Sequence, residues 1–449
     1  MALNIADLFE HAVDAAPDNP ALKVGDRIAT YADLEAESNR LAHYLQSQGV
    51  GPGDHVAIYA KNSVEHVVAV LATVKIRAVT INVNYRYVEG ELNYLFDNAD
   101  VVAVVFERSY APLLAAVAPN HAKLKTFVAI PDAIDPDDAS DISSFGGVLY
   151  ADAIADQSAE RDFAERSADD LHIIYTGGTT GRSKGVMLSH TNLVVNAMQA
   201  IPMLGAQVAD RMLHVAPMFH IADAFVCIIS TSLCGSNYFQ PAFDPVSTLQ
   251  GIQDYKIQRM LLVPTMVNMM VNHPAIGEYS LESLQGIWYG ASPMPEPVIR
   301  KAMEVLPAVD FRQAYGQTEA APAITVLSPE RHTFEGPMAG KMKSAGQALP
   351  GIDLCIMDEN DQKVANDVIG EICMRGPNIM LGYRNMAEQT SKAIVDGWLH
   401  TGDGGYLDDE GFLFIVDRVK DMIISGGENV YSAEVENALY QHESVDQCA

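Results

Sequence analysis

The chain has 449 residues, 49% of them hydrophobic, with a formal net charge of -29 and five cysteines. That length exceeds a single core, so two or three domains are expected, and the apolar content excludes global disorder. The acidic balance argues against a nucleic-acid or anionic-membrane surface, so an anionic ligand must be held by local cations and backbone donors.

Met1 to Asp7 has neither a basic nor an apolar stretch, and no secretory signal is expected. Ile5, Leu8, Phe9, Ala12 and Val13 share one helical face, and Thr30 is placed to cap a second helix carrying Leu34, Leu41 and Leu45. His55–Ala60 and Val101–Phe106 are apolar runs suited to strands covered on both faces. Helical stretches are expected at Val64–Val74, Glu89–Phe96 and Ala111–Val117. Strand and helix in alternation predict a doubly wound parallel sheet. From Pro131 to Asp170 the alternation breaks. Asp132, Asp135, Asp137, Asp138 and Asp141 sit among small residues, as in a solvated connector; phosphate or metal binding there is the weaker reading.

The run Tyr175-Thr176-Gly177-Gly178-Thr179-Thr180-Gly181-Arg182-Ser183-Lys184-Gly185 follows the strand-like Leu171–Tyr175 and reads as a loop leaving the sheet. Glycines and threonines let the backbone wrap an anion, and Lys184 adds a permanent cation. The Walker pattern does not fit, because Ser183 precedes the lysine and Gly185 follows it. Taken alone, a flexible surface loop explains such a run equally well.

Further along, Pro217-Met218-Phe219-His220 and Tyr289-Gly290-Ala291-Ser292-Pro293 supply an aromatic, a histidine and small residues for an apolar pocket. A lone histidine is more often structural. Tyr315-Gly316-Gln317-Thr318-Glu319 stands at a strand end, where parallel sheets hold ligands, with Glu319 suited to Mg²⁺ and Tyr315 to a base; singly, it is also an ordinary turn. From Gly346 to Val416, short strands between Gly and Pro predict a β-barrel-like subdomain. Asp403 follows a Gly turn, where a carboxylate can accept both hydroxyls of a ribose. Asp417-Arg418-Val419-Lys420-Asp421 before Gly426-Gly427 looks like a domain hinge. The cysteines (Cys227, Cys234, Cys355, Cys373 and Cys448) never fall in a CxxC spacing, which suits a reducing cytosol and excludes a zinc knuckle. All but the last are expected as buried apolar filler.

In content, order and spacing this set of motifs resembles the adenylate-forming superfamily, and within it the acyl-CoA synthetases, along essentially the whole chain. The resemblance implies an α/β fold of two doubly wound, mostly parallel sheets with flanking helices, plus a β-barrel-like subdomain and the start of a small α+β domain. It implies an adenylation domain over 1–419, with sub-regions near 1–170, 171–330 and 331–419, and a hinge and truncated second domain over 420–449. Thr176, Gly177, Gly178, Thr179, Thr180, Gly181 and Lys184 would cradle the ATP phosphates. Thr318 would meet the α-phosphate and Glu319 would hold Mg²⁺. Tyr315 would pack on adenine, with Gly290, Ala291, Ser292, Gln313, Ala314, Gly316 and Gln317 around it. Asp403 and Arg418 would bind the ribose beside Ile415, and Lys420 would be the hinge. Gly426 and Gly427 would line a CoA tunnel. His220, Trp288, Tyr289, Gly290 and Gly316 would border the acid, with Lys184, Thr318, Glu319 and His220 as the catalytic set. Gly178, Ser183 and Ser432 depart from the family's commoner Ser, Pro and Pro, and none of them removes a phosphate ligand.

The function implied is ATP-dependent activation of a carboxylic acid to an acyl-adenylate, then transfer to CoA. A medium or long fatty acid is the first choice and a polycyclic acid the second. Transfer to a carrier protein, or amino-acid adenylation with Asp223 pairing the ammonium, is the alternative. A non-catalytic nucleotide-binding module is the third reading. A cytoplasmic location is implied, with no nucleic-acid partner and no transmembrane segment, and a homodimer is left open. At the chain end, Ser432 could cap a helix presenting Val435, Ala438, Leu439 and His442, a face with nothing to cover it. A fragment impaired in turnover is expected.

Overall fold

The computed structural model describes residues 3–178, 181–418, 423–425, 428–430 and 439. They form two compact units: Met1–Met198 with Gln207–Phe243 and Met380–Ala387, and Gln199–Ala206 with Asp244–Ile379 and Glu388–Ala449.

Unit one is built on an eight-stranded sheet ordered Gly382–Tyr383, Gly181–Ser189, Leu171–Gly178, Val79–Asn82, His55–Tyr59, Val101–Glu107, Thr126–Ile130 and Val148–Leu149. From Leu171–Gly178 onward the pairing is parallel. The apolar runs read as strands are there, and His55–Tyr59 is buried along its whole length. Alternate side chains enter two separate cores: Val56 and Ile58 join one, Ala57 and Tyr59 the other, as the period of two requires. Helices Ile5–Ala15, Tyr31–Ser47 and Val64–Lys75 cover the first face; Glu89–Asn98 and Ala111–Val117 cover the second. Thr30 caps Tyr31–Ser47 in a capping box with Asp33. The same unit carries a ladder of Arg211–His214, Ser236–Phe239, Pro20–Val24 and Arg27–Thr30.

The acidic stretch is solvated as expected at Asp135, Asp137 and Asp141, and Asp132 is the exception. Asp132 is buried and takes Lys61 at 3.2 Å, the Ser109 hydroxyl, and the backbone N–H groups of Ile134 and Asp135. Burial pushes Glu107 up to about 7, against the Lys61 ammonium 2.6 Å away. Asp132 therefore anchors the segment that follows rather than decorating its surface.

Unit two contains the ladder Arg259–Leu262, Gly286–Gly290 and Asp310–Gly316, all parallel, extended antiparallel by Ala323–Leu327 and Gln347–Ala348. The region read as barrel-like is an antiparallel half-barrel sheet of Asp353–Met357, Gly370–Arg375, Trp398–Leu407, Ile394–Val395 and Leu413–Arg418. Cys355 and Cys373 are buried as expected, whereas Cys227 and Cys234 are partly exposed; Cys448 lies outside the described residues. The expected helix from Ser432 also lies outside them, apart from Leu439.

Candidate active site

The Gly-rich run is a hairpin, not a loop leaving the sheet. Leu171–Gly178 turns back as Gly181–Ser189, in antiparallel register with Thr176 opposite Lys184 and Gly178 opposite Gly181. Directly opposed residues point to one face, so the hydroxyl of Thr176 and the ammonium of Lys184 are presented together. The strand pairing needs room on its inner side: a Cβ at Gly185 would lie 2.9 Å from the Tyr175 ring, whose hydroxyl donates to Asn98 at 2.6 Å. Thr179 and Thr180, at the tip, lie outside the described residues.

Cations here rest on aromatic faces. The Lys184 ammonium stands 4.1 Å from the Tyr383 ring centroid, and the Arg182 guanidinium lies 5.1 Å over Tyr94. Among the described residues Lys184 has no carboxylate partner. A cation–π contact orients an ammonium without neutralising it, so the charge stays available to an anion. Tyr383 was not legible in the sequence; only the pairing of Gly382–Tyr383 with Val186–Met187 brings it under Lys184.

His220 caps Ile221–Ser232 in unit one, its ring stacked obliquely on Phe219 at 4.2 Å. Much of its surface is open. The protein mass around the ring nevertheless holds its pKa below the usual imidazole value, with Arg86 adding to the effect. It is a neutral ring at pH 7. Asp223, one turn on, is buried against His214, with 3.1 Å between Oδ1 and Nδ1. Burial alone would lower the His214 pKa, but Cys227 and Asp223 outweigh it and hold the ring well above the usual value.

In unit two, the Tyr315 hydroxyl donates to Asp403 Oδ2 at 2.7 Å, so the expected base platform and the expected ribose acceptor are brought together. Asp403 is further set by its N–H on Thr401 Oγ1 and by the strand pairing of Asp403 with Arg418. Ile415 pairs with Gly405 in the same ladder. Gly290 and Gly316 lie where strands close on their neighbours: a Cβ would stand 2.1 Å from the Ala314 carbonyl oxygen and 1.9 Å from that of Pro322, respectively. Ala291 then takes φ +68°, leaving Ser292 exposed beyond the strand. Tyr289 hydrogen-bonds His332 at 2.8 Å and Gln313 at 3.4 Å. Trp288, on the opposite face of the strand, is buried with its indole N–H on the Leu204 carbonyl. Thr318 and Glu319 open a short turn, Thr318–Ala320, after Gln317. Lys420, Gly426 and Gly427 lie outside the described residues.

Residues 9–384 match the model of a family described as AMP-binding enzyme. The chain belongs to that family. Its relatives include a medium/long-chain-fatty-acid–CoA/3-oxocholest-4-en-26-oate–CoA ligase of Mycobacterium marinum, 36% identical over 99% of this chain and 84% of that protein. The 3-oxocholest-4-en-26-oate–CoA ligase of Rhodococcus rhodochrous is 35% identical over 99% of this chain and 83% of its own length. Among solved structures, o-succinylbenzoate CoA synthetase from Bacillus subtilis, in complex with the acyl-adenylate intermediate OSB-AMP, superposes with TM-score 0.84. It is 28% identical, covering 98% of this chain and 84% of that one. This AMP-binding enzyme is thus an acid–thiol ligase by kinship. Among its described residues, no helix is long and apolar enough to cross a membrane.

Proposed function

We propose that this enzyme activates a medium- or long-chain fatty acid, or a bulky polycyclic acid, with ATP and passes the acyl group to CoA. The observation that carries the reading is the Thr176–Lys184 pair, an unneutralised cation beside a hydroxyl on a chain of net charge -29. A carboxylate and a polyphosphate repel, so the acid's oxygen reaches the α-phosphorus only where phosphate charge is offset. Lys184 supplies that offset. The new O–P bond forms as pyrophosphate leaves, giving acyl-AMP; a thiol then attacks the acyl carbon and AMP departs.

Thr318 and Glu319 offer hard oxygen donors, the chemistry Mg²⁺ selects, and Mg²⁺ there would offset further phosphate charge. Tyr315 and Asp403 hold the nucleoside in this reading, Asp403 with Arg418 on the ribose. Neutral His220 borders the acid. Residues 1–419 act as the adenylating domain and Lys420 as the hinge that changes half-reactions. Asp223 is 1% exposed and holds His214 through Oδ1, so its charge is balanced inside the protein, which favours an acyl over an aminoacyl substrate. A cytoplasmic setting, where ATP and CoA are abundant, suits this chemistry.

Acid-dependent exchange of labelled pyrophosphate into ATP tests the proposal. Exchange with dodecanoate or a steroid acid, absent with amino acids, is the expected result. No acid-dependent exchange and no acyl-AMP by mass spectrometry, with ATP bound, would leave a nucleotide-binding module instead.

A further inference from the structure

A cavity lies wholly within unit one, lined from the helices Ile5–Ala15, Val64–Lys75 and Ile221–Ser232 and from the strands Val79–Asn82 and Leu171–Gly178. Its wall is largely apolar, with Phe9, Leu34, Val70, Phe225 and Ile228 among the residues that line it. It also includes Met218 and Ile221, which bracket His220 in the chain.

Among the polar side chains in that wall are His66, His172 and Asn82, exposed by only 1%, 5% and 3%. Nε2 of His66, both ring nitrogens of His172 and Oδ1 of Asn82 are buried without a hydrogen-bond partner. Burial of this kind is costly, and orphaned polar atoms beside a cavity point to a missing polar group. Burial pushes the His66 and His172 rings down to about 4 and about 3, so both are neutral. Their roles follow. His66 Nδ1 faces the Lys61 carbonyl at 3.2 Å, so it carries the proton and Nε2 is an acceptor. The Asn82 amide N–H₂ points to the Met218 carbonyl at 3.4 Å, which leaves Oδ1 as an acceptor. Neutral His172 offers one N–H and one lone pair.

We propose that this cavity takes the apolar body of the acid and that His66, His172 and Asn82 select an acid bearing a hydroxyl on that body. A hydroxyl donates to His66 or Asn82 and accepts from His172 at once. A plain methylene satisfies none of them. The inference rests on the acid-activating reading given above and narrows its substrate class. His66, His172 and Asn82 are specificity residues at a distance from the phosphates, not catalytic ones.

Matched acids test it: lithocholate against cholanate, which lacks the hydroxyl, and ω-hydroxydodecanoate against dodecanoate. With the full chain, acid-dependent pyrophosphate exchange and equilibrium dialysis of each free acid are measured. The hydroxylated member of at least one pair should be favoured by about tenfold or more, since a site built for a hydroxyl rejects the analogue without it. His172→Phe and His66→Leu should erase that preference by weakening the hydroxylated acid alone. In wild type, ¹⁵N-histidine spectra should show ring-nitrogen shifts of His172 with the preferred hydroxy acid and none with its partner, a readout independent of how the variants fold. Equal treatment of both pairs, a preference that survives both substitutions, or unmoved ring nitrogens would each overturn the proposal. The two levels separate cleanly: activation of acids without discrimination sinks only the hydroxyl selection, whereas activation of none sinks the acid reading and this inference with it.

Discussion

The two units hold their expected ligand groups by different physics. In unit one the candidate phosphate cation, Lys184, lies on the Tyr383 ring with its charge unspent, and its neighbour Arg182 lies on Tyr94. In unit two the geometry is set by backbone closeness and one short hydrogen bond: Gly290 against Ala314, Gly316 against Pro322, Tyr315 on Asp403. A charge acts over distance and tolerates small displacements, whereas a stacked base and a bound ribose do not. Unit one should therefore fail when charge is changed, and unit two when shape is changed.

The largest contrast concerns acid. Unit one buries His66, His172 and His190 with pKa values pushed down to about 4, 3 and 3, in each case chiefly by burial. Unfolding frees each imidazole to take a proton near pH 6.5, so the unfolded state binds more protons between that pH and the folded values. Stability is present above pH 6.5 and falls as pH drops, by up to about 1.4 kcal/mol per pH unit for each ring. His214, with its raised pKa, changes its contribution only above pH 6.5, where stability is lost as pH rises towards its folded value, so it does not counter the loss below that pH. Unit two has His332 alone pushed down to about 4 among its described histidines. Hydrogen exchange from pH 7 to 5 should show protection lost first in unit-one peptides; equal loss in both units would break the comparison.

Next in size is Lys184→Ala, expected to cost about 2–4 kcal/mol in adenylate formation, the worth of a charged contact to a developing anion. Stability should hardly change, since the ammonium has no carboxylate partner among the described residues. Unchanged ATP affinity and exchange rate would remove Lys184 from the phosphate role. In unit two, Gly290→Ala should reverse the pattern, with loss of stability of about 1–3 kcal/mol, because its Cβ meets backbone that cannot swing aside. A thermal melt indistinguishable from wild type would show that the strands can part there at no cost.

How much of this was legible follows the same division. Residue types that act by charge or by hydrophobic period stood out: Lys184, the strands at His55 and Val101, and the Thr30 cap. Those set by long-range pairing did not. The Gly-rich run read as a loop because four glycines mask strand character, yet antiparallel pairing of Tyr175 with Gly185 makes it a hairpin. Asp132 looked like one of several surface aspartates; only the fold shows it taking the Ser109 hydroxyl and the Asp135 and Ile134 N–H groups, with Lys61 nearby, contacts that make its burial tolerable. Tyr383, His332 and the orphaned ring of His172 gain meaning only from strands distant in the chain. Trp288 was expected at the acid, and the structure shows its one polar atom already used by Leu204.

Tyr315→Phe carries the smallest effect and the sharpest information. The substitution keeps the ring, and with it any stacking on a base, while deleting the 2.7 Å bond to Asp403. If Asp403 binds ribose, its carboxylate must be aimed, and the tyrosine hydroxyl contributes to that aim. Loss of one such bond is worth about 0.5–1.5 kcal/mol, so KM for ATP should rise by roughly three- to tenfold with little change in kcat. Asp403→Asn alone should cost more, since it weakens both the tyrosine bond and the acceptance of hydroxyls. The double variant should then cost less than the sum of the two, because each single change already disturbs the same oriented pair. 2′-Deoxy-ATP separates positioning from plain packing. Wild type should discriminate against it, and the Asp403→Asn variant should discriminate less. Strict additivity together with unchanged ribose discrimination would mean that the Tyr315–Asp403 bond serves only the fold of unit two.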